Sequence, residues 1–277
     1  MDTSVARLTE PRAGILVLTA ALAVIMGAHW SPMLVPGCAL LVLAILRPTL
    51  AARPHTWWVA AGLWLAAVAL KQEHMEDHVY LFTAWLVALA LALSADGDEE
   101  FVDRAAWHAK MLVSATFATA VAWKVYFGDY FSGTTLWLFM LVDRRFEPLA
   151  SAVGLSDGAV DRGREGLGAL LSGTSDVLVL EAPTHVVVRI AAAATLTLSI
   201  EFLIAAAHLA PDTSRLARLR LPSIVMFGLV TYAVVPVVPF AALLAMLAMV
   251  VGRWRREVLW VFPAMVLVSV GRLLMLS

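Results

Sequence analysis

Nine apolar runs of near-spanning length alternate along the chain with breaks that carry charge, proline or glycine. They cover approximately Ala13 to His29, Met33 to Leu46, Thr56 to Leu70, Val79 to Ser94, Ala105 to Phe127, Thr184 to Ala210, Pro222 to Val235, Val238 to Gly252 and Val258 to Leu276. A helix needs about 20 apolar residues to cross the hydrocarbon core, so the shorter runs, at about 14 to 16 residues, must recruit interfacial flanks or thin the bilayer. The pattern predicts an all-α fold: a polytopic membrane protein of about nine transmembrane helices, one domain over residues 1–277. The stretch Pro236-Val237-Val238-Pro239 fits either one broken helix or two helices, because proline withholds a backbone donor that the bilayer cannot replace.

Of the 277 residues, 61% are hydrophobic and 15% charged, and mean hydropathy is +0.85. A water-soluble chain of this length could not hide that excess beneath a charged shell. The formal net charge of -1 supplies no global basic field, which excludes nucleic acid as a partner. A single cysteine, Cys38, rules out an intramolecular disulfide or a four-cysteine zinc site and reads as packing.

Positive charge orients the helices. With a cytoplasmic N-terminus and the proline pair at an outside turn, the inside segments hold eleven arginines: Arg7, Arg12, Arg47, Arg53, Arg104, Arg215, Arg218, Arg220, Arg253, Arg255 and Arg256. The outside segments hold five positive residues, Lys71, Arg144, Arg145, Arg162 and Arg164. That bias favours nine spans with the C-terminus outside, in a plasma or inner membrane. Trp57, Trp58, Trp107, Trp123 and Trp254 fall near predicted helix ends, where an aromatic belt belongs. The first run also fits a signal peptide, but uncleaved it extends the charge alternation, which favours its retention. Eight glycines and prolines between Asp143 and Pro183 predict a long irregular outside loop over about residues 128–183. Short interfacial or re-entrant helices are expected around Leu136 to Leu141 and Leu167 to Leu171.

In this topology the ionisable residues converge. His78 opens the fourth run and Lys124 closes the fifth, both near the outer face. By the same count Arg189 and Arg272 reach that level, as do Glu76, Asp77, Tyr126 and Asp129. Such a concentration predicts a polar cavity open to the outside. Each member also has an ordinary reading: snorkelling for the arginines, capping for His78, anchoring or ion pairing for Lys124. His74 and His78 stand four apart near Glu73 and Asp77, but the spacing alone is a weak metal signal and no metal is predicted. Glu201, deep in the inner half of the sixth run, must protonate or find a partner, and Lys110 is the candidate. His108 and His208 fall near inner ends, where interfacial solvation is expected.

Glu76-Asp77-His78-Val79-Tyr80-Leu81, followed by an apolar helix, resembles the asparagine-histidine-x-tyrosine-leucine segment that opens a membrane helix in vitamin K-dependent γ-carboxylases. Those enzymes share their membrane part with the horizontally transferred transmembrane (HTTM) domain proteins. Trp123-Lys124 with Asp129-Tyr130-Phe131-Ser132-Gly133 is similar to the family's lysine, short polar stretch with an aromatic, and glycine. Glu201 is similar to the acid in the family's next long helix, and order and spacing agree over about residues 56–235. The resemblance implies an enzyme that oxygenates a reduced, vitamin K-like quinone, with Lys124 as the base and His78 steadying the developing negative charge. Asp77, Tyr80, Trp123, Tyr126, Asp129, Arg189, Glu201 and Arg272 are the candidate cofactor-binding residues around that cavity. A lysine works as a base only where burial brings its pKa toward neutrality, since a solvated ammonium near 10.4 stays protonated; Trp123, Val125 and Phe127 offer the apolar wall.

Departures from the family shape the expectation. The carboxylases carry a second lysine where Trp123 stands, and a lumenal peptide-binding domain follows their helices, whereas Ser277 directly follows the last run here. A small lipophilic substrate or a partner subunit is therefore expected in place of a peptide, alongside membrane lipids. Two other classes stay open: a non-enzymatic membrane scaffold or complex subunit, and a small-molecule transporter. The proline break favours transport, while the lack of a repeated half counts against it.

Overall fold

The computed structural model describes residues 10–28, 31–70, 77–176, 183–232, 235, 237–254, 259 and 261–276. Among these the chain is helical, with no strand. The helices are α1 (Pro11–Ala28), α2 (Leu34–Leu46), the single turn α3 (Pro48–Ala51), α4 (Pro54–Leu70), α5 (Asp77–Ala92) and α6 (Asp98–Phe127). They continue with α7 (Thr134–Val142), α8 (Glu147–Val153), α9 (Asp157–Leu171), α10 (Thr184–Leu209), α11 (Arg220–Tyr232), α12 (Val238–Val251) and α13 (Val261–Leu276). Each of the nine apolar runs thus becomes a helix. By length and composition α1 and α10 are able to cross a membrane, while α2, α12 and the apolar part of α5 are shorter.

α12 is the axis of the larger apolar core. Every residue from Ala241 to Val250 is buried, as expected of a helix that is hydrophobic all round. It packs against α1, α5, α6, α11 and α13. α11 stops at Tyr232 and α12 starts at Val238 with Pro239 in its first turn, so this stretch makes two helices; Pro236 itself lies outside the described residues. Tyr232 and Phe240 meet edge to face across the connection, with centroids 6.4 Å apart. α1 belongs to this core as well. Its Thr19 hydroxyl accepts from the Trp85 indole at 3.1 Å and donates to Met246 Sδ at 3.4 Å, tying α1 to α5 and α12.

A second core forms around the first half of α10, where Val186, Ile190, Ala194 and Leu198 meet Tyr130, Leu136, Trp137 and Met140. This departs only in part from the irregular loop expected over 128–183: α7 and α9 contain the short helices expected at 136–141 and 167–171, but both are longer, and α8 folds between them. The glycines act locally instead of melting the segment. Gly133, at φ 79°, starts α7 hard against α10: a Cβ there would lie 2.9 Å from Ile190 Cγ2 and 3.0 Å from the Ala191 nitrogen. Ser156 caps α9 by accepting from the Ala159 N–H.

Large apolar side chains also cover the outside of the bundle. Val35, Val42, Ile45 and Leu46 on α2 are exposed, as are Val59, Leu63, Leu65 and Leu70 on α4 and Val188, Leu196, Phe202 and Leu209 on α10.

Candidate functional site

The local sequence explains why α6 delivers a lysine. Asp98, Glu99 and Glu100 fill its first turn, where the helix dipole favours negative charge. Lys124 stands in the last turn, and Gly128, left-handed at φ 72°, ends the helix by donating its N–H to the Lys124 carbonyl at 3.3 Å. α6 packs along α10, and three contacts fix their antiparallel register: Lys110 to Asp212, Ser114 to the Ala205 carbonyl, and Lys124 to Glu201.

That register corrects two sequence expectations. Glu201 pairs with Lys124, not with Lys110, which binds Asp212 at 3.3 Å. In addition, α10 runs past the end of α6 by roughly a dozen residues, or ~18 Å at a rise of about 1.5 Å per residue. Arg189 therefore lies well beyond Lys124 along α10, not level with it. Its guanidinium reaches the Val153 carbonyl at 3.4 Å, where it completes the end of α8.

Lys124 Nζ donates to Glu201 Oε1 at 2.5 Å and lies 4.6 Å from the centre of the Tyr130 ring. The glutamate side chain is only 8% exposed and the lysine 22%. Glu201 Oε2 is buried with no hydrogen-bond partner among the described residues. Thr197, one turn earlier on the same face of α10, lies beside the Tyr130 phenol and donates its own hydroxyl to the Ala193 carbonyl at 3.0 Å. Burial, with the nearby Glu201 carboxylate adding to it, pushes that phenol up to about 12, so it stays protonated. The arrangement holds one cation, one carboxylate with a spare acceptor and a protonated phenol in apolar surroundings. Chemically it can exchange a proton with a hydroxyl presented to it.

The other sequence candidates fall elsewhere. His78, in the first turn of α5, is buried and stacks on Phe240 of α12 with centroids 6.4 Å apart and planes 25° apart. Its described ring contact is thus with α12, whereas Lys124 faces α10. Trp123 and Tyr126 turn outward, 65% and 81% exposed, and Phe127 meets both rings at 4.5 and 5.2 Å. Tyr80 and Asp129 are exposed. The side chains of Asp77 and Arg272, and residues Lys71, Glu73, His74 and Glu76, lie outside the described set. Tyr130 and Thr197 were not among the sequence candidates. Thr197 carries a readable signal, since it stands four residues before Glu201 and so shares its helix face.

Comparison with protein-family models, with curated proteins and with solved structures gives no match.

Proposed function

We propose that this is a multi-pass membrane protein, N-terminus cytoplasmic, whose Lys124–Glu201 pair is the proton-accepting centre of an enzyme acting on a lipophilic hydroxyl compound such as a reduced quinone. The observation that carries the reading is the pair itself. An ion pair between two apolar helices is costly to desolvate, and ionisable groups kept at such depth mark functional sites by default. The unpartnered Glu201 Oε2 supports a place for a donor, such as a ligand hydroxyl. Passage of the lysine proton to Glu201 leaves a neutral amine, which is the species able to take a proton from the substrate. The exposed apolar faces of α2, α4 and α10 support a lipid surround, because patches of that extent seldom face water. The likeness to the HTTM and γ-carboxylase proteins, in Lys124 and Glu201, belongs to this proposal.

A structural reading competes on one observation: with Lys110–Asp212, the pair clasps both ends of the α6–α10 contact. The two separate by experiment. Lys124→Arg keeps a charge that pairs with Glu201 but offers no neutral amine. With purified protein and a reduced quinone, oxygen uptake is expected in the wild type and absent in the arginine variant at unchanged melting midpoint. Wild-type and arginine proteins that behave alike would leave only the clasp, as in a scaffold subunit.

A further inference from the structure

α2 and α4 are joined through the single turn α3, yet each is held by a different neighbour. α2 packs along α1 and α4 along α5, with little direct contact between the two. The chain reverses here because Pro48 and Pro54 open α3 and α4, at positions where a helix has no use for the missing N–H. The Thr56 hydroxyl donates to the Leu50 carbonyl at 2.8 Å and the buried Trp57 indole donates to the Ala51 carbonyl at 2.6 Å, so the junction is fixed and the helices stay apart. Between them lies a cleft of about 630 Å³, with its walls on residues 36–43 of α2 and 56–64 of α4.

The cleft is apolar along its length and polar at one end. Leu40, Ala60 and Trp64 form a buried floor, and Val59 and Leu63 make an exposed apolar rim. Each wall runs roughly 10–12 Å at a rise of about 1.5 Å per residue, much of the depth of one leaflet in a hydrocarbon core ~30 Å thick. Arg53 and His55 line the end closed by α3. Both are exposed and reachable, and neither makes a side-chain hydrogen bond or ion pair among the described residues. Arg47 stands exposed at the same turn. Among the described residues no acid lines the cleft. Its polarity is therefore that of a lipid leaflet, an apolar slot with a positive head end.

We propose that this cleft binds one anionic membrane phospholipid, with an acyl chain between α2 and α4 and its phosphate at Arg53 and His55. The proposal rests on the membrane reading above, in which the α3 turn lies at the cytoplasmic face, and is independent of Lys124 and Glu201. An acyl chain suits walls that water does not. Arginine and imidazole N–H groups donate charge-assisted bonds to a phosphate. The two arginines, with no acid beside them in the cleft, favour a net negative headgroup over a zwitterionic one, whose own cation they repel.

The test uses the delipidated full chain in a mild detergent, titrated with dioleoyl phosphatidylglycerol or dioleoyl phosphatidylcholine and read by native mass spectrometry. One phosphatidylglycerol is expected to bind about tenfold or more tightly than phosphatidylcholine. Arg53→Gln, at an exposed position, should weaken phosphatidylglycerol about fivefold and leave phosphatidylcholine unchanged. Ala39→Trp, which fills the cleft from an exposed position on its wall, should lose the bound lipid of either kind at an unchanged melting midpoint. Val42→Trp, exposed on α2 outside the cleft, should bind as wild type does. Equal affinities for the two lipids, or an Ala39→Trp protein that binds as wild type does, overturns the site. Alkaline carbonate extraction of membranes, run beside the titration, reports on membrane integration alone. A protein that resists carbonate yet takes up no phosphatidylglycerol refutes the cleft and leaves the membrane reading intact. A protein that carbonate releases, yet that binds one phosphatidylglycerol and loses it in Ala39→Trp, removes the membrane reading and keeps the cleft.

Discussion

Replacing Lys124 with alanine strands the Glu201 carboxylate. Glu201 is 8% exposed and its second oxygen already lacks a partner, so the lost ammonium is its one charged compensation among the described contacts. Removing one member of a buried pair costs ~3–5 kcal/mol in general. Lys124 keeps 22% of its side chain accessible, which lets solvent soften the loss and sets the expectation near the lower end, about 3 kcal/mol. Removing both charges is a different perturbation. In Lys124→Met combined with Glu201→Leu the desolvation cost disappears together with the attraction, and the net change should stay within about 1 kcal/mol. Reversible unfolding in mixed micelles, followed by circular dichroism, measures the wild type, both single variants and the double. A Lys124→Ala protein within about 0.5 kcal/mol of wild type would refute the picture of a buried, mutually dependent pair. So would a double variant that loses as much as the two single variants summed, because the cycle would then show no coupling.

Other consequences are local. Gly37 packs α2 against α1 so closely that a Cβ would lie 2.6 Å from the Ala23 carbonyl oxygen; Gly37→Ala should lose about 1–3 kcal/mol in the same unfolding assay. Thr19→Val removes the hydroxyl that accepts from Trp85 and leaves a buried indole N–H unpaired, a loss of about 1–3 kcal/mol, with a shift in tryptophan emission as the second readout. Asp212, bonded by Arg220 and then by Lys110, has its carboxyl held below the usual range. Because the folded pKa is the depressed one, its contribution is present above the unfolded value near 3.9 and is lost as pH falls through the folded pKa. The wild type should therefore lose stability in that acidic window, and Asp212→Asn should show a flatter slope there. Tag accessibility should place the two chain ends on opposite sides of the membrane; tags on the same side would leave the odd number of spans untenable.

The periodic apolar runs made the helices legible because burial on all sides needs no register information. The α12 segment, apolar throughout, is the clearest case, and it became the buried axis. What composition concealed was depth. Counting residues from the run ends assumed that α6 and α10 stop at common planes, whereas Ser114 meeting Ala205 sets a register in which α10 overshoots. The overshoot is covered by α7 and α8, with α9 packed on α7, in the segment whose glycines argued for irregularity. Gly133 shows the reason: its missing Cβ permits close packing on Ile190 and Ala191, a tertiary demand that local propensity does not reveal. Lys124 and Glu201 were both legible as costly residues, yet their pairing was not, since it depends on that register. Tyr130 stood inside a quoted motif and was passed over because a tyrosine is unremarkable until a lysine lies over its ring.

Native mass spectrometry of gently extracted protein tests the central claim most directly. A hydroxyl-bearing lipophilic molecule, a quinol or its oxidised partner, is expected to leave with the wild-type chain and to be lost from Lys124→Ala, with bulk phospholipid adducts equal in both. Retention of the same ligand by the alanine variant, or a wild-type chain that carries phospholipid alone, would contradict Lys124 and Glu201 as the ligand site.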